Sequence, residues 1–236
     1  MIILAVDTSG RNGSLALARA TDDQIAGGQV SVLEVVPVEG GTFSAQLVPQ
    51  IAALLERHVV SKSEIGGFAV ASGPGSFTGL RVGLAAIKGL AEVLNKPIAT
   101  VSLLEVIART SKIMGRVLAV LDAGRGEMYV GEYEVGAGSV RCVREDLLRP
   151  GGLSEGKAAS TVVAITPDLA IAGTLRAIGF QTEEIERPRA DAVARLGWER
   201  IKMGETIAPQ ALEANYIRRS DAEIFSSPAG TASPRR

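Results

Sequence analysis

The sequence predicts an α/β fold of two related lobes, and three observations carry that reading. First, a strand that ends in aspartate and turns back into a second strand occurs twice, as Ile2–Asp7 with Ser14–Ala18 and as Val117–Asp122 with Glu127–Tyr133. Leu4-Ala5-Val6-Asp7 aligns with Ala119-Val120-Leu121-Asp122, the mark of an internal duplication. Second, an apolar run, Gly67–Ala71, passes through a glycine-rich turn, Ser72-Gly73-Pro74-Gly75-Ser76, into a helical stretch, Leu80–Leu94. Third, apolar positions at helical spacing lie between the predicted strands, the alternation expected of α/β architecture.

In chain order, strand Ile2–Asp7 leads through a polar turn, Thr8-Ser9-Gly10-Arg11-Asn12-Gly13, to the returning strand Ser14–Ala18. A helix is predicted over Ser44–His58, where Leu47, Val48, Ile51, Leu54, Leu55 and His58 form one stripe. Pro49 has no N–H to donate, so it must stand near the start of that helix or kink it. The helix Leu80–Leu94 is ended by Asn95-Lys96-Pro97. Ile98–Val101 reads as a short strand, and Ser102 caps a helix over Leu103–Ser111. After the second hairpin come a Gly136-Ala137-Gly138 turn, a strand at Ser139–Arg144 and a loop over Pro150–Ser160. Short strands at Thr161–Ile165 and Ala170–Ala172 precede an amphipathic helix, Asp191–Met203, built on Val193, Leu196 and Ile201.

The glycine-rich turn admits two readings. Backbone N–H groups at a helix start favour anions, which makes Gly73, Gly75 and Ser76, with Asp7, Thr8 and Ser9 of the first turn, candidate phosphate-binding residues. The spacing of Gly73, Gly75 and Gly79 is neither G-x-G-x-x-G nor a P-loop, and no Lys-Ser/Thr pair follows, so a tight structural turn stands equally. Asp7 and Asp122 likewise suit a phosphotransfer cleft or simply cap their turns. Inside the following helix, Gly79, Gly83 and Gly89 each cost about 1 kcal/mol against alanine. Gly79 and Gly83 share a face, so a second backbone must come close there, either this chain's own sheet or another chain.

Composition narrows the function. The chain has 236 residues, net charge −1 and 4% aromatic residues, so neither a basic stripe nor a base-stacking platform is expected and contact with nucleic acid should be indirect. One cysteine, Cys142, excludes an internal disulfide and fits a reducing cytoplasm. One histidine, His58, removes every two-histidine metal site and leaves a serine triad with one candidate base and no G-x-S-x-G elbow. No apolar run is long enough to span a membrane, and the opening segment meets Asp7 too soon for a signal peptide.

Four segments together resemble the TsaB (YeaZ) family: Ile3-Leu4-Ala5-Val6-Asp7-Thr8-Ser9, the run Ser72–Gly83, Ala119–Tyr129, and Ala214-Asn215-Tyr216-Ile217-Arg218. The resemblance covers about residues 1–220, with 145–205 matching only loosely. It implies the duplicated two-lobed actin-like ATPase (ASKHA, ribonuclease H-like) fold, with Pro209–Arg218 returning to the first lobe. The lobes are then residues 1–101 with about 206–225, and 102–205, with a disordered tail at 226–236. It further implies a subunit without catalysis, cofactor or metal of its own, which supports a TsaD-like transferase in forming threonylcarbamoyladenosine beside the tRNA anticodon. A TsaE-like ATPase would join, with ATP and Mg used by the assembled complex. Leu47, Ile51, Leu54, Leu55, Gly79, Gly83 and Ala86 are the candidate partner face, which would serve a homodimer equally. Phe43 stands where many relatives carry histidine, and apolar contact would replace that side chain. A small-molecule or sugar kinase of the same fold is the alternative, supported by Asp7, Asp122 and the glycine turn. A peptidase would need a nucleophile and base that do not assemble here.

Overall fold

The computed structural model describes residues 1–21, 29–154 and 162–217. The first lobe contributes β1 (Ile2–Asp7), β2 (Gly13–Thr21), β3 (Gln29–Val38), β4 (Ile65–Gly73) and β5 (Ile98–Ser102), in the order β3-β2-β1-β4-β5. The second contributes β6 (Gly115–Gly124), β7 (Glu127–Gly136), β8 (Ser139–Leu148), β9 (Val163–Thr166) and β10 (Gln181–Glu184), in the order β10-β9-β6-β7-β8. The two orders are the same topology. In each, three strands form an antiparallel meander and two more add in parallel beside the first. The duplication seen in two short motifs therefore extends to whole sheets.

Helices form layers outside and between the sheets. α1 (Phe43–Arg57) and α2 (Phe77–Leu94) lie side by side on the outer face of the first sheet, on Leu4, Val6, Leu15, Leu17, Phe68 and Val70. α4 (Pro150–Ser154) and α5 (Leu169–Ala177) cover the outer face of the second. Between the sheets lie α3 (Leu103–Ala108) and α6 (Ala190–Met203), inside one core that takes in both inner faces. α6 follows the second sheet in sequence yet packs on β1, β2, β4 and β5 of the first. The inner face there is small, with Ala5, Ala16, Ala18, Ala69 and Ala71, and a Cβ on Gly197 would overlap that of Ala69. The helix can approach that closely only because both surfaces lack side-chain bulk.

Several local expectations are corrected. β3 was not expected, although Val30, Val32, Val35 and Val36 are β-formers. Ala170–Ala172 is not a strand: it lies in α5, whose buried Ile171, Ala172 and Leu175 fall on one helical face. The loop expected over Pro150–Ser160 begins with α4. Pro49 lies inside α1 rather than near its start. It stands seventh, on the exposed side, where it withholds the N–H that would bond the Ala45 carbonyl. Ser102 precedes α3 but makes no capping bond, because its hydroxyl is spent on Glu145 at 2.5 Å. Asn95 ends α2 in the left-handed conformation, at φ 51°. The tail 226–236, residues 218–225 and the start of the strand expected at Thr161–Ile165 lie outside the described residues.

Candidate functional site

The carboxyl ends of β1 and β6 face a shared cleft of about 1890 Å³. Such ends, between two α/β lobes, are where ligands bind in this architecture. The cleft is lined from the first lobe by Ser9, Gly10, Arg11, Gly75 and Arg81, and from the second by Asp122, Arg125, Tyr129 and Asp168. Arg187 connects the two sides. Its guanidinium lies 3.5 Å from Asp168 and closes over Gly10.

Asp7 and Asp122 occupy matching places and make matching turns. Asp7 Oδ1 accepts from the Ser9 N–H at 2.9 Å and from its hydroxyl at 2.6 Å; Asp122 Oδ1 accepts from the Gly124 N–H at 2.8 Å. Both are Asx turns. Their surroundings differ. Asp7, Thr8 and Ser9 are buried, whereas Asp122 is exposed. Burial pushes the Asp7 carboxyl above its usual range, against the Ser9 hydrogen bonds and the Arg187 charge that pull it down.

The glycine turn is clamped by this chain itself. The Ser76 N–H donates to the Ser9 carbonyl at 2.6 Å, and the Ser76 hydroxyl caps α2 by accepting from the Gly79 N–H at 3.3 Å. Two donors that an anion would use are thus engaged. Gly73 sits at φ +131°, where a side chain is strained, and the Asn215 carbonyl presses on it. Asn215 belongs to a strap, residues 212–217, that returns along the cleft. Its N–H donates to the Ser72 carbonyl at 2.8 Å and its side-chain amide donates to Glu145 Oε2 at 2.8 Å. The strap therefore touches β4 of one lobe and β8 of the other. The other oxygen of Glu145 accepts from Ser102 and Tyr133, each at 2.5 Å. Burial, then the Glu145 charge, raises the Tyr133 phenol, which stays protonated and donating.

The expected partner face is corrected. Leu47, Ile51, Leu54 and Leu55 are all buried against the first lobe's own sheet. Gly79 and Gly83 are buried under the first turn: a Cβ on Gly79 would overlap the Thr8 carbonyl, and one on Gly83 the Thr8 hydroxyl. Ala86 is half-buried at the edge of this core. The close approach inferred from the glycines is made by this chain to itself. The outward residues of the same helices include Ala45, Val48, Pro49 and Ala52 on α1 and Ala85, Gly89 and Val93 on α2, flanked by exposed Glu56, Arg57, Arg81 and Glu92. Phe43 is buried at the start of α1 and packs toward Gly13 and Gly79. His58 ends α1 and meets Glu34 at 2.8 Å. Cys142 is exposed, and partial burial followed by the Glu145 charge raises its thiol, so it is not activated. Among the described residues, no group of three or more His, Cys, Asp or Glu is placed to hold a metal, and no helix is long and apolar enough to cross a membrane.

Sequence reasoning missed Asp168, Arg187 and Glu145. Each is brought in by contacts more than forty residues away along the chain, and none carries a local motif.

Duplicated five-stranded lobes, helices outside and between them, and a cleft at the strand ends define a two-lobed protein of the actin-like (ASKHA) class. The family model described as "TsaD: tRNA N6-adenosine threonylcarbamoyltransferase" matches residues 35–224. The chain is 33% identical to the tRNA threonylcarbamoyladenosine biosynthesis protein TsaB of Bacillus subtilis over 62% of this chain and 61% of that one. It is 28% identical to the Escherichia coli protein of the same name over 94% and 96%. Of solved structures, an uncharacterized Pseudomonas aeruginosa protein with similarity to peptidase YeaZ superposes with a TM-score of 0.74 at 25% identity, covering 92% of this chain and 99% of that one. YeaZ from the same organism superposes with a TM-score of 0.70 at 23% identity, covering 91% and 100%. The chain belongs to the TsaB (YeaZ) family.

Proposed function

We propose that this chain acts in tRNA threonylcarbamoyladenosine biosynthesis as a non-catalytic subunit that binds and supports a TsaD-like transferase. A TsaE-like ATPase joins the pair, ATP and Mg are used by the assembled complex, tRNA is met only indirectly, and the setting is the cytoplasm. One observation carries the docking part. Gly89 lies within α2 with nothing within 4 Å of where its Cβ would be. Gly83, six residues earlier, is required by Thr8; Gly89 is required by nothing among the described residues, yet costs about 1 kcal/mol in a helix. It continues an uncovered run of small apolar residues, Ala45, Val48, Ala52, Ala85 and Val93, across the two outer helices. Such a run suits close packing of a partner's helix pair, and a second copy of this chain would compete for it.

The test mixes the purified chain with the TsaD-like subunit of the same organism and measures association by light scattering, with and without ATP. A stable heterodimer is expected. Gly89→Glu and Val48→Asp should each weaken it at least about tenfold, or ~1.4 kcal/mol, while leaving thermal unfolding unchanged. Absence of association under every condition overturns the reading.

The kinase reading rests on the cleft, where Asp122 and Asp168 face Arg11, Arg81, Arg125 and Arg187. Phosphotransfer or ATP hydrolysis by the isolated chain, abolished by Asp122→Asn, would favour it.

A further inference from the structure

A second pocket, of about 770 Å³, lies at the opposite end of the molecule from the cleft. The strand registers place it there. The cleft sits where Asp7 pairs with Ser14, whereas this pocket takes in Gln29 and Val30 at the start of β3 and Gly138-Ser139-Val140 at the β7–β8 turn. The end of α6 forms its wall.

Three features of that wall belong together. Trp198 is only 7% exposed, and its indole N–H has no acceptor among the described residues. A buried donor without a partner costs about 1–3 kcal/mol, and native proteins rarely leave one so. Among the described residues, Arg109, Arg195 and Lys202 line the same pocket with one carboxylate, Glu199, which Arg109 holds at 2.8 Å, and the Lys202 ammonium lies 5.9 Å from the centre of the Trp198 ring. Arg195 gives one N–H to the Val30 carbonyl at 2.9 Å, and no ion-pair partner of its guanidinium is found among the described residues. Val30, Val140 and Met203 add apolar surface. A volume of this size, apolar wall surface and a few converging donors suit a small-molecule site.

We propose that this pocket binds a small organic anion. Its phosphate or carboxylate oxygens face Arg195 and Lys202 and reach the Trp198 N–H, and its apolar body lies on the indole and Met203. The inference is independent of the reading of the cleft and of the outer helices.

Trp198 is the sole tryptophan of the chain, so its fluorescence reports this pocket alone. The experiment titrates the full chain with inorganic phosphate, AMP and citrate at constant ionic strength set with KCl. A saturable change in tryptophan emission with at least one probe is expected. Affinity should fall at least tenfold in Arg195→Ala and in Lys202→Ala, both exposed positions whose variants should keep the native circular dichroism and Tm. Arg11→Ala, in the distant cleft, should bind as the unsubstituted chain does. Response to phosphate and AMP alone makes the ligand a phosphate; response to citrate alone makes it a carboxylate; both uphold the site. No saturable change with any probe overturns it, as does a response that survives Arg195→Ala and Lys202→Ala or is lost in Arg11→Ala.

Discussion

The two lobes share a strand order and differ in almost everything laid upon it. On the inner face of the first sheet the residues are mostly alanine, and a fourteen-residue helix, α6, rests close on the backbone. On the inner face of the second, Leu121, Tyr129 and Tyr133 fill the space and a six-residue helix, α3, suffices. The front turns diverge in the same way. Asp7 is buried beneath α2 and the glycine turn, while Asp122 is open to the cleft. Duplication has kept the hydrogen-bonded ladders, and side-chain volume alone has set how near the neighbouring layer comes. One lobe became the closely packed platform beneath the outer helices, and the other presents its aspartate to the cleft.

That contrast can be broken by substitution. The largest effect is expected at Tyr133, which is fully buried and bonds Glu145. Tyr133→Ala should cost about 3–5 kcal/mol in urea unfolding, and Tyr133→Phe about 1.5–3 kcal/mol through the lost bond to a charged acceptor. A cost below about 1 kcal/mol for the alanine variant would show that bulk does not organise the second lobe. Next comes Gly197→Val, which should destabilise by about 1–3 kcal/mol by overpacking against Ala69.

The two aspartates come third. Asp7→Ala strands a buried Ser9 N–H and should cost about 1–3 kcal/mol, whereas Asp122→Ala, at an exposed turn, should stay near 0.5 kcal/mol. The pH dependence separates them further. The folded-state pKa of Asp7 is raised above the ordinary 3.8, so the folded chain holds that proton more tightly than the unfolded one. Stability therefore falls as pH rises from 3.8 through the raised value, and the loss is complete above it. Asp7→Asn keeps the accepting oxygen and removes the ionisation, so its stability relative to the native chain should climb across that window and then level off. Chemical denaturation at a series of pH values would measure this, and a flat difference would refute it. A small effect of the opposite sign is expected at Gly89→Ala, which meets nothing among the described residues and should stabilise by about 0.5 kcal/mol or less.

Much of this fold was legible. The paired strand-aspartate motifs pointed to two like lobes because each hairpin is local and its first strand carries a short apolar run ending in aspartate. The period of α6 was readable from Val193 and Leu196, but its destination on the other sheet was not, since spacing reports a buried face and never the partner that buries it. The same gap misdirected the partner face. Of the predicted stripe, Leu47, Ile51, Leu54 and Leu55 are buried by this chain's own sheet, whereas Val48 turns outward and His58 is half-buried. β10 carries Gln181-Thr182-Glu183-Glu184 at a sheet edge, with no apolar alternation to read. Ala170–Ala172 was too short to separate a strand from a helix. In the cleft, both aspartate turns could be located from local chemistry. Asp168, Arg187 and Glu145 could not, because their roles exist only after distant strands have been brought together.

The placement of α6 also has a bearing on synthesis. Residues 1–102 supply every strand of the first sheet, yet the helix that covers its inner face lies at Ala190–Met203. As the chain leaves the ribosome, Ile3, Ala5, Ala16, Ala18 and Ala69 have no permanent cover until the whole second sheet has emerged. The half made first is finished last, so the interval between residues 102 and 190 is when this protein is most open to misassembly and to capture by chaperones.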